Sequence, residues 1–523
     1  MTFIGVFVAF TLLILLEKHF YKFSGASVPQ TNKDLNSEKT NALYLIFSLC
    51  FASFAFRLIN ESYFYPWVFH MYCFLSLVPM ALKLIFSRRY LNTEFSLAVN
   101  IKKLIFSMLM VLIIPEILVF VYLSNLKYKN ILTNIPVPGL GDTDEKLYTQ
   151  MMLINVVMLS LGSFFVENYF EVFFSLYAGI LSVYYFLPGL EKLKYDWHTT
   201  NNLHFLLKAS KFQLNWRVNF INKDVFIQLL PICSLLVLLT ELLAPVLLFP
   251  FFVQNKLFLI GFLVCLCSFH FFVFLSSGIF FWKWIYTIFV SLLNLYLVDV
   301  LTYSSNSVFS FIFVCGFLYS FFISKMPIRL GWLDSPLYQV YKIYFKLTDN
   351  DKLFRLRPHD IFPWDTLLSQ NRLLFLTPTV KNVSGCLGAV RNKEYYNFLL
   401  NVSKGFKKEE EIKKIIQNFI VQEGRHYNND QVCSNITRNF ISFIISIINI
   451  KLSRQNKLYN FFHWLMLHIR DMKEENENYI DDIACVGKNT KIEKIVITFQ
   501  SAFYSEVLKK EIILKEHNIE IQI

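Results

Sequence analysis

Charged residues are scarce in this chain. Aspartate, glutamate, lysine and arginine together make up 17% of its 523 residues, whereas hydrophobic residues make up 55% and aromatic residues 18%. The mean hydropathy is +0.44. Soluble globular domains carry more charge and fewer apolar residues, so the composition argues against an ordinary soluble protein. We expect an integral, multi-pass membrane protein.

Paired cysteine motifs are also missing. No Cys-x-x-Cys spacing occurs among the nine cysteines, which are scattered over apolar stretches and the C-terminal part: Cys50, Cys73, Cys233, Cys265, Cys267, Cys315, Cys386, Cys433 and Cys485. Disulfide frameworks and cysteine metal sites need cysteines at recurring short spacings. The pattern supports neither, and no metal is predicted.

The net charge of +12 does not by itself indicate nucleic-acid binding. In a membrane protein, such a surplus usually lies in loops that face the cytoplasm or anionic lipid head groups. Membrane lipid is therefore the expected partner, and no nucleic acid is expected.

Ten apolar windows have about the length that crosses a bilayer, which is roughly 20 residues at 1.5 Å per residue. They predict an all-α polytopic membrane helix bundle of about 8–10 spans within a multi-pass domain covering residues 1–325. The windows are 3–19, 43–58, 64–87, 104–125, 149–166, 169–187, 226–250, 256–275, 278–300 and 307–325.

The composition changes near Lys325, where charged residues become frequent and apolar runs shorten. Residues 326–523 are therefore predicted to form a soluble mixed α/β domain, an α+β fold. A helix is expected on the spacing of Ile412, Ile415, Ile416, Phe419 and Ile420, ending at Gly424. A second, buried or interfacial helix is expected from Phe440 to Ile450. Two paired strands are expected from the alternation at Ile495, Ile497 and Phe499 and at Ile519, Ile521 and Ile523.

The segment 188–197 reads Pro-Gly-Leu-Glu-Lys-Leu-Lys-Tyr-Asp-Trp and follows a long apolar run. A lysine at such an edge can act as a base, because loss of hydration disfavours the charged ammonium. Lys192 is the candidate, framed by Gly189 and Trp197, and Lys194 is the fallback. The alternative is an anchoring lysine whose side chain reaches back to the membrane interface.

A second segment places His270 between two phenylalanines, followed by Gly278-Ile279-Phe280. Together, the two segments resemble the vitamin K-dependent gamma-carboxylase family and its shorter relatives, the horizontally transferred transmembrane (HTTM) proteins. The resemblance implies that Lys192 is the base that deprotonates a reduced, vitamin K-like quinone. Where the carboxylase has a further lysine, this chain has Glu191, whose carboxylate favours a charged ammonium nearby.

Three further residues near these segments have two interpretations each. Asp196 orients the lysine or caps the next helix. His198 shuttles protons or is an ordinary surface histidine. His270 lines a hydrophobic cavity as a functional group, or is a neutral imidazole bonded to a neighbouring helix. His70 has similar surroundings without a motif and is expected to be structural.

Two functional hypotheses follow. The first is an integral membrane enzyme of the carboxylase-like (HTTM) superfamily, a lyase or oxidoreductase, with Lys192 as base and His270 in a membrane cavity that admits a quinone-like cofactor or substrate. The second is a non-catalytic membrane scaffold or transport-related protein that binds a protein partner through residues 326–523.

Overall fold

The computed structural model describes residues 7–17, 35–60, 65–90, 101–123, 142–161, 169–197, 224–249, 256–277, 282–297, 307–324, 333–356, 383–384, 389–390, 393–423, 444–445, 448–449, 452, 478 and 490–523. These residues are mostly helical, and the strands among them lie in the C-terminal part.

Each of the ten apolar windows contains a helix, so the helical part of the prediction is confirmed. The fourth window is interrupted by a turn at 112–116. The helices are α1 Phe7–Glu17, α2 Leu35–Ile59, α3 Trp67–Tyr90, α4 Ile101–Val111, α5 117–123, α6 Asp142–Ser160, α7 Tyr169–Lys194, α8 Asp224–Leu247, α9 Lys256–Ser277, α10 Trp282–Leu297 and α11 Ser307–Leu318.

Within the described residues, two helices are long and apolar enough to cross a membrane: Tyr169–Lys194 and Gln228–Leu247. The first is mostly buried by protein, as a core helix is, whereas only 28% of the second is buried. Five shorter apolar helices accompany them. The finding is consistent with membrane association, and the larger number of spans stays a prediction.

The C-terminal part combines helices with two small sheets. Its elements are β1 Leu333–Asp334, β2 Leu337–Leu347, β3 Asn350–Leu356, β4 Val383–Ser384, β5 Ala389–Val390, α12 Lys393–Gly405, α13 Glu409–Glu423, β6 Ile492–Ser505 and β7 Lys510–Gln522. The described strands form an antiparallel sheet of order β3-β2-β6-β7 and a small sheet of order β1-β5-β4.

The predicted hairpin at the end of the chain is confirmed. Strands β6 and β7 pair antiparallel, with Ile495 opposite Ile521 and Ile497 opposite Ile519. The predicted helix on the isoleucine spacing is also confirmed as α13, while its expected end at Gly424 lies outside the described residues. Of the helix expected from Phe440 to Ile450, the described residues 444–445 and 448–449 are helical.

The main sheet also contains a hairpin that sequence reasoning missed. In β2, the side chains of Ile343, Phe345 and Leu347 are buried, and the residues between them are more exposed. This period of two is typical of a strand with one buried face. The alternation was therefore visible in the sequence.

Contacts divide the chain into two compact units. The first comprises Met1–Gly189, Leu239–Phe271 and Phe281–Arg329, and the second comprises Leu190–Leu238, Phe272–Phe280 and Leu330–Ile523. Each unit has its own hydrophobic core. The domain boundary expected between residues 325 and 326 stays a prediction.

Candidate functional site

Helix α7 ends in a Schellman motif built from the Lys192–Trp197 segment. The backbone N–H of Trp197 donates to the carbonyl of Lys192 at 2.9 Å, and the N–H of Asp196 donates to the carbonyl of Leu193 at 3.1 Å. Asp196 has a φ of +51°, the left-handed conformation that this cap requires. The five-residue spacing between the lysine and the tryptophan is thus the spacing of a helix cap.

Trp197 anchors this cap in the core of the second unit. It is 7% exposed, and Tyr195 is 9% exposed. Both belong to a hydrophobic cluster that also contains Leu337, Tyr396, Leu399, Val402, Ile412, Ile416, Phe419, Phe503, Ile512 and Leu514. The tryptophan of the motif therefore has a structural role.

The side chain of Lys192 is partly buried and lies against the ring of Trp197. Its Nζ is 5.3 Å from the ring centroid, within the range of a cation–π contact. The exposed Lys194 contacts a different ring, with its Nζ 5.5 Å from the centroid of Tyr195. The two lysines therefore have separate environments.

Gly189 and Asp196 each have a structural role. A Cβ at Gly189 would lie 3.1 Å from the Cβ of Glu241 on α8, so glycine leaves room for the neighbouring helix. The carboxylate of Asp196 accepts a hydrogen bond from the Lys393 ammonium at the start of α12. The backbone of Asp196 closes the end of α7. The cap expected from the sequence was one of the next helix, and residues 198–223, which follow, lie outside the described residues.

His270 is 4% exposed in the first unit. Its Nε2 is 2.9 Å from the hydroxyl oxygen of Tyr185, and the tautomer decides which of the two donates the hydrogen bond. The Trp284 ring lies edge-on, with its centroid 4.9 Å from that of the imidazole. A buried imidazole hydrogen-bonded to a phenol can exchange a proton with it, and such a bond equally satisfies a structural histidine.

Two of the predicted site residues, His198 and Gly278, lie outside the described residues. Lys192 belongs to the second unit and His270 to the first. His70 faces the carbonyl of Leu112, with Nδ1 2.9 Å from the oxygen. A carbonyl only accepts, so His70 donates through Nδ1, as a structural histidine does.

A buried ion pair in the first unit was missed by sequence reasoning. Arg57, in the last turn of α2, places Nη2 2.9 Å from Oε2 of Glu116, and their side chains are 4% and 3% exposed. The Cys50 thiol donates to the backbone carbonyl of Glu116 at 3.6 Å. Both charged residues lie in or beside predicted apolar windows. A single charged residue within an apolar window was the sequence feature that could have indicated a buried ion pair.

A buried carboxylate at the end of α1 was also missed. Glu17 accepts hydrogen bonds from the Tyr319 hydroxyl at 2.5 Å and from the Ser324 hydroxyl at 2.7 Å. Residues Tyr319–Ile323 form a π-helical turn that continues α11. Short π-helical segments within helices are frequent at functional positions. Glu17 is the single glutamate of the first apolar window, and this was the sequence feature that could have indicated a buried carboxylate.

Among the residues that the structure describes, no three His, Cys, Asp or Glu side chains come together as in a metal site. Comparison of the whole chain with protein-family models, with curated proteins and with solved structures found no match.

Proposed function

We propose that this chain is a multi-pass membrane enzyme in which Lys192 accepts a proton from a lipophilic, quinone-like molecule. The observation that carries the proposal is the position of Lys192. The Schellman cap and the Trp197 ring hold its amino group at the end of an apolar helix long enough to cross a bilayer. An amine held in this way can meet a molecule that partitions into the membrane.

The residues around Lys192 suit the product of such a proton transfer. The neutral amine takes the proton of an acidic hydroxyl and becomes an ammonium ion, which the face of Trp197 stabilises. A reduced quinone, when bound, supplies that hydroxyl. An amine beside an indole ring fits such a molecule, because the amine accepts the proton and the ring offers an apolar surface.

The Tyr185–His270 pair supports proton-transfer chemistry in the first unit. Its surroundings are aromatic and buried, and ionisable groups in such positions often mark proton pathways in membrane proteins. We assign this pair to proton exchange within the first unit, separately from the role of Lys192.

The test is quinol-dependent oxygen consumption by the purified protein in lipid nanodiscs, because the deprotonated quinol passes its electrons to dissolved O2 more readily than the neutral quinol does. We expect Lys192→Ala to abolish the activity and Lys194→Ala, the matched control, to retain it. Full activity in a folded Lys192→Ala protein would falsify the proposal.

A second candidate is a non-catalytic membrane scaffold that binds a protein partner through residues 326–523. The burial of Tyr195 and Trp197 in the core of the second unit favours it, because these residues of the motif then serve to build that unit. In this case, Lys192→Arg and Lys192→Ala are tolerated alike in a complementation assay, whereas removal of residues 326–523 abolishes complementation.

A further inference from the structure

The cap of α7 depends on one residue with an uncommon backbone conformation. Asp196 has a φ of +51°, and the hydrogen bonds made by the backbone N–H groups of Asp196 and Trp197 close the end of the helix. In this conformation, the Cβ of an L-residue crowds its own backbone. Glycine avoids the strain, and asparagine and aspartate tolerate it better than β-branched residues do.

The ion pair between Asp196 and Lys393 contributes less to the cap than the backbone of Asp196 does. This pair is exposed, since the two side chains are 47% and 54% accessible. Exposed ion pairs contribute little, because water and salt screen them. A residue that resists a positive φ, by contrast, opposes the cap directly.

From these contacts we infer that Asp196 is a positioning residue for Lys192, acting through its left-handed backbone conformation and not through its charge. The cap sets the carbonyl of Lys192 against the N–H of Trp197 and thereby holds the Lys192 side chain on the Trp197 ring. The inference rests on the proposed function only in taking Lys192 as the reacting group.

The test measures the accessibility of the Lys192 amine and needs no enzymatic activity. The purified full-length protein is labelled briefly with acetic anhydride, and mass spectrometry gives the labelling rate of Lys192 relative to the exposed Lys404 of α12. In Asp196→Val, we expect this ratio to rise about tenfold, because a β-branched residue disfavours the left-handed conformation by about that factor. In Asp196→Gly, Asp196→Asn and Lys393→Ala, we expect a ratio within about twofold of the wild type.

A matched control separates positioning from general destabilisation. Lys509, in the turn between β6 and β7, has a φ of +52°. Lys509→Val introduces the same backbone strain away from the cap and should leave the labelling ratio of Lys192 unchanged. An unchanged ratio in Asp196→Val overturns the inference, as does an equal rise in Asp196→Gly and Lys393→Ala, which would assign the effect to charge.

The kinetic arm distinguishes this inference from the proposed function. If the quinol assay gives activity, Asp196→Val should lower kcat more than KM changes, and Asp196→Gly should recover kcat. If the wild-type protein has no such activity, the proposed function fails, while the labelling ratios still decide whether Asp196 positions Lys192.

Discussion

The ion pair between Arg57 and Glu116 places two charges inside an apolar helical unit, where each depends on the other. Removal of one partner leaves an uncompensated buried charge, which typically costs about 3–5 kcal/mol. We expect Arg57→Met to lower the free energy of unfolding by about this amount, measured by denaturant unfolding in detergent.

The matched control for this pair is the exposed pair of Lys494 and Glu520, whose Nζ and Oε2 atoms are 3.1 Å apart. Lys494→Met should cost at most about 1 kcal/mol. The double variant Arg57→Met/Glu116→Leu should be more stable than Arg57→Met alone, because it removes both charges. If Arg57→Met and Lys494→Met lower the free energy of unfolding equally, burial does not make the Arg57–Glu116 pair more important for stability than an exposed pair.

Glu409, at the start of α13, gives the stability of the second unit a defined dependence on pH. Hydrogen bonds from Lys413 and then from Lys510 lower the pKa of its carboxyl group from an ordinary value of about 4.5 to about 2. Because the folded state favours the ionised form, the contribution of Glu409 to stability is fully present above about pH 4.5. It is lost as the pH falls to about 2.

Hydrogen exchange of the α13 amides checks this dependence against Glu409→Gln, which lacks the ionisable group. The wild-type protein should be better protected than the variant above about pH 4.5, and the difference should shrink as the pH falls towards 2. If the difference in amide protection between the wild type and Glu409→Gln stays constant from pH 4.5 to pH 2, the two lysine contacts do not act on the ionised carboxylate.

At the scale of elements, α7 and α11 approach each other through glycine. A Cβ at Gly179 would lie 2.3 Å from the carbonyl oxygen of Phe313, and one at Gly316 would lie 2.9 Å from that of Leu176. Small residues allow such close crossings of apolar helices. The atoms in the way belong to the backbone and have little freedom to move aside.

Gly179→Ala should therefore destabilise the protein by about 1–3 kcal/mol, the usual range for overpacking of a tight core. Gly261, in α9, is the matched control, because nothing lies within 4 Å of a Cβ at that position. Gly261→Ala should be neutral or stabilise the protein by up to about 1 kcal/mol, since alanine favours the helix. The measurement is the thermal unfolding midpoint of both variants in the same detergent. A similar decrease in this midpoint for Gly179→Ala and Gly261→Ala would contradict the close crossing of α7 and α11.

The two strand hairpins show what a local pattern determines. The β6–β7 hairpin was predicted because its alternating isoleucines lie close together in the chain. Hairpin β2–β3 has the same kind of alternation and could have been found. The pairing of β2 with β6 aligns Phe345 with Ile495, and no local pattern relates residues that are so far apart.

At the scale of the whole molecule, the exposed surface of α8 supports the membrane assignment. Apolar side chains line the exposed face of this helix at spacings of three and four residues: Leu229, Ile232, Leu235, Leu236, Leu239, Leu243 and Val246. A continuous apolar surface of this kind is favourable in lipid and unfavourable in water. The exposed face of α8 is thus consistent with membrane association.

Leu236, which is 57% exposed near the middle of α8, tests this assignment. A lysine at the centre of a membrane helix costs roughly 2.5–3.5 kcal/mol on insertion. Leu236→Lys should therefore reduce the yield of folded protein in the membrane fraction. Val421, in α13, is 62% exposed, and Val421→Lys should leave the yield unchanged, because that residue belongs to the predicted soluble part. Equal yields of the two variants would indicate that α8 does not face lipid.

The sequence by itself determined the apolar character, the positions of the apolar helices, the terminal hairpin and the Lys192–Trp197 spacing. Each depends on the composition or on residues near one another in the chain, where periodicity and helix capping act. Only the tertiary structure decided that Trp197 enters the core of the second unit and that Arg57 meets Glu116. It also decided that Glu17 meets Tyr319, which lies 302 residues further along the chain. These pairings depend on how distant segments pack, because a buried polar group takes the partner that folding places beside it.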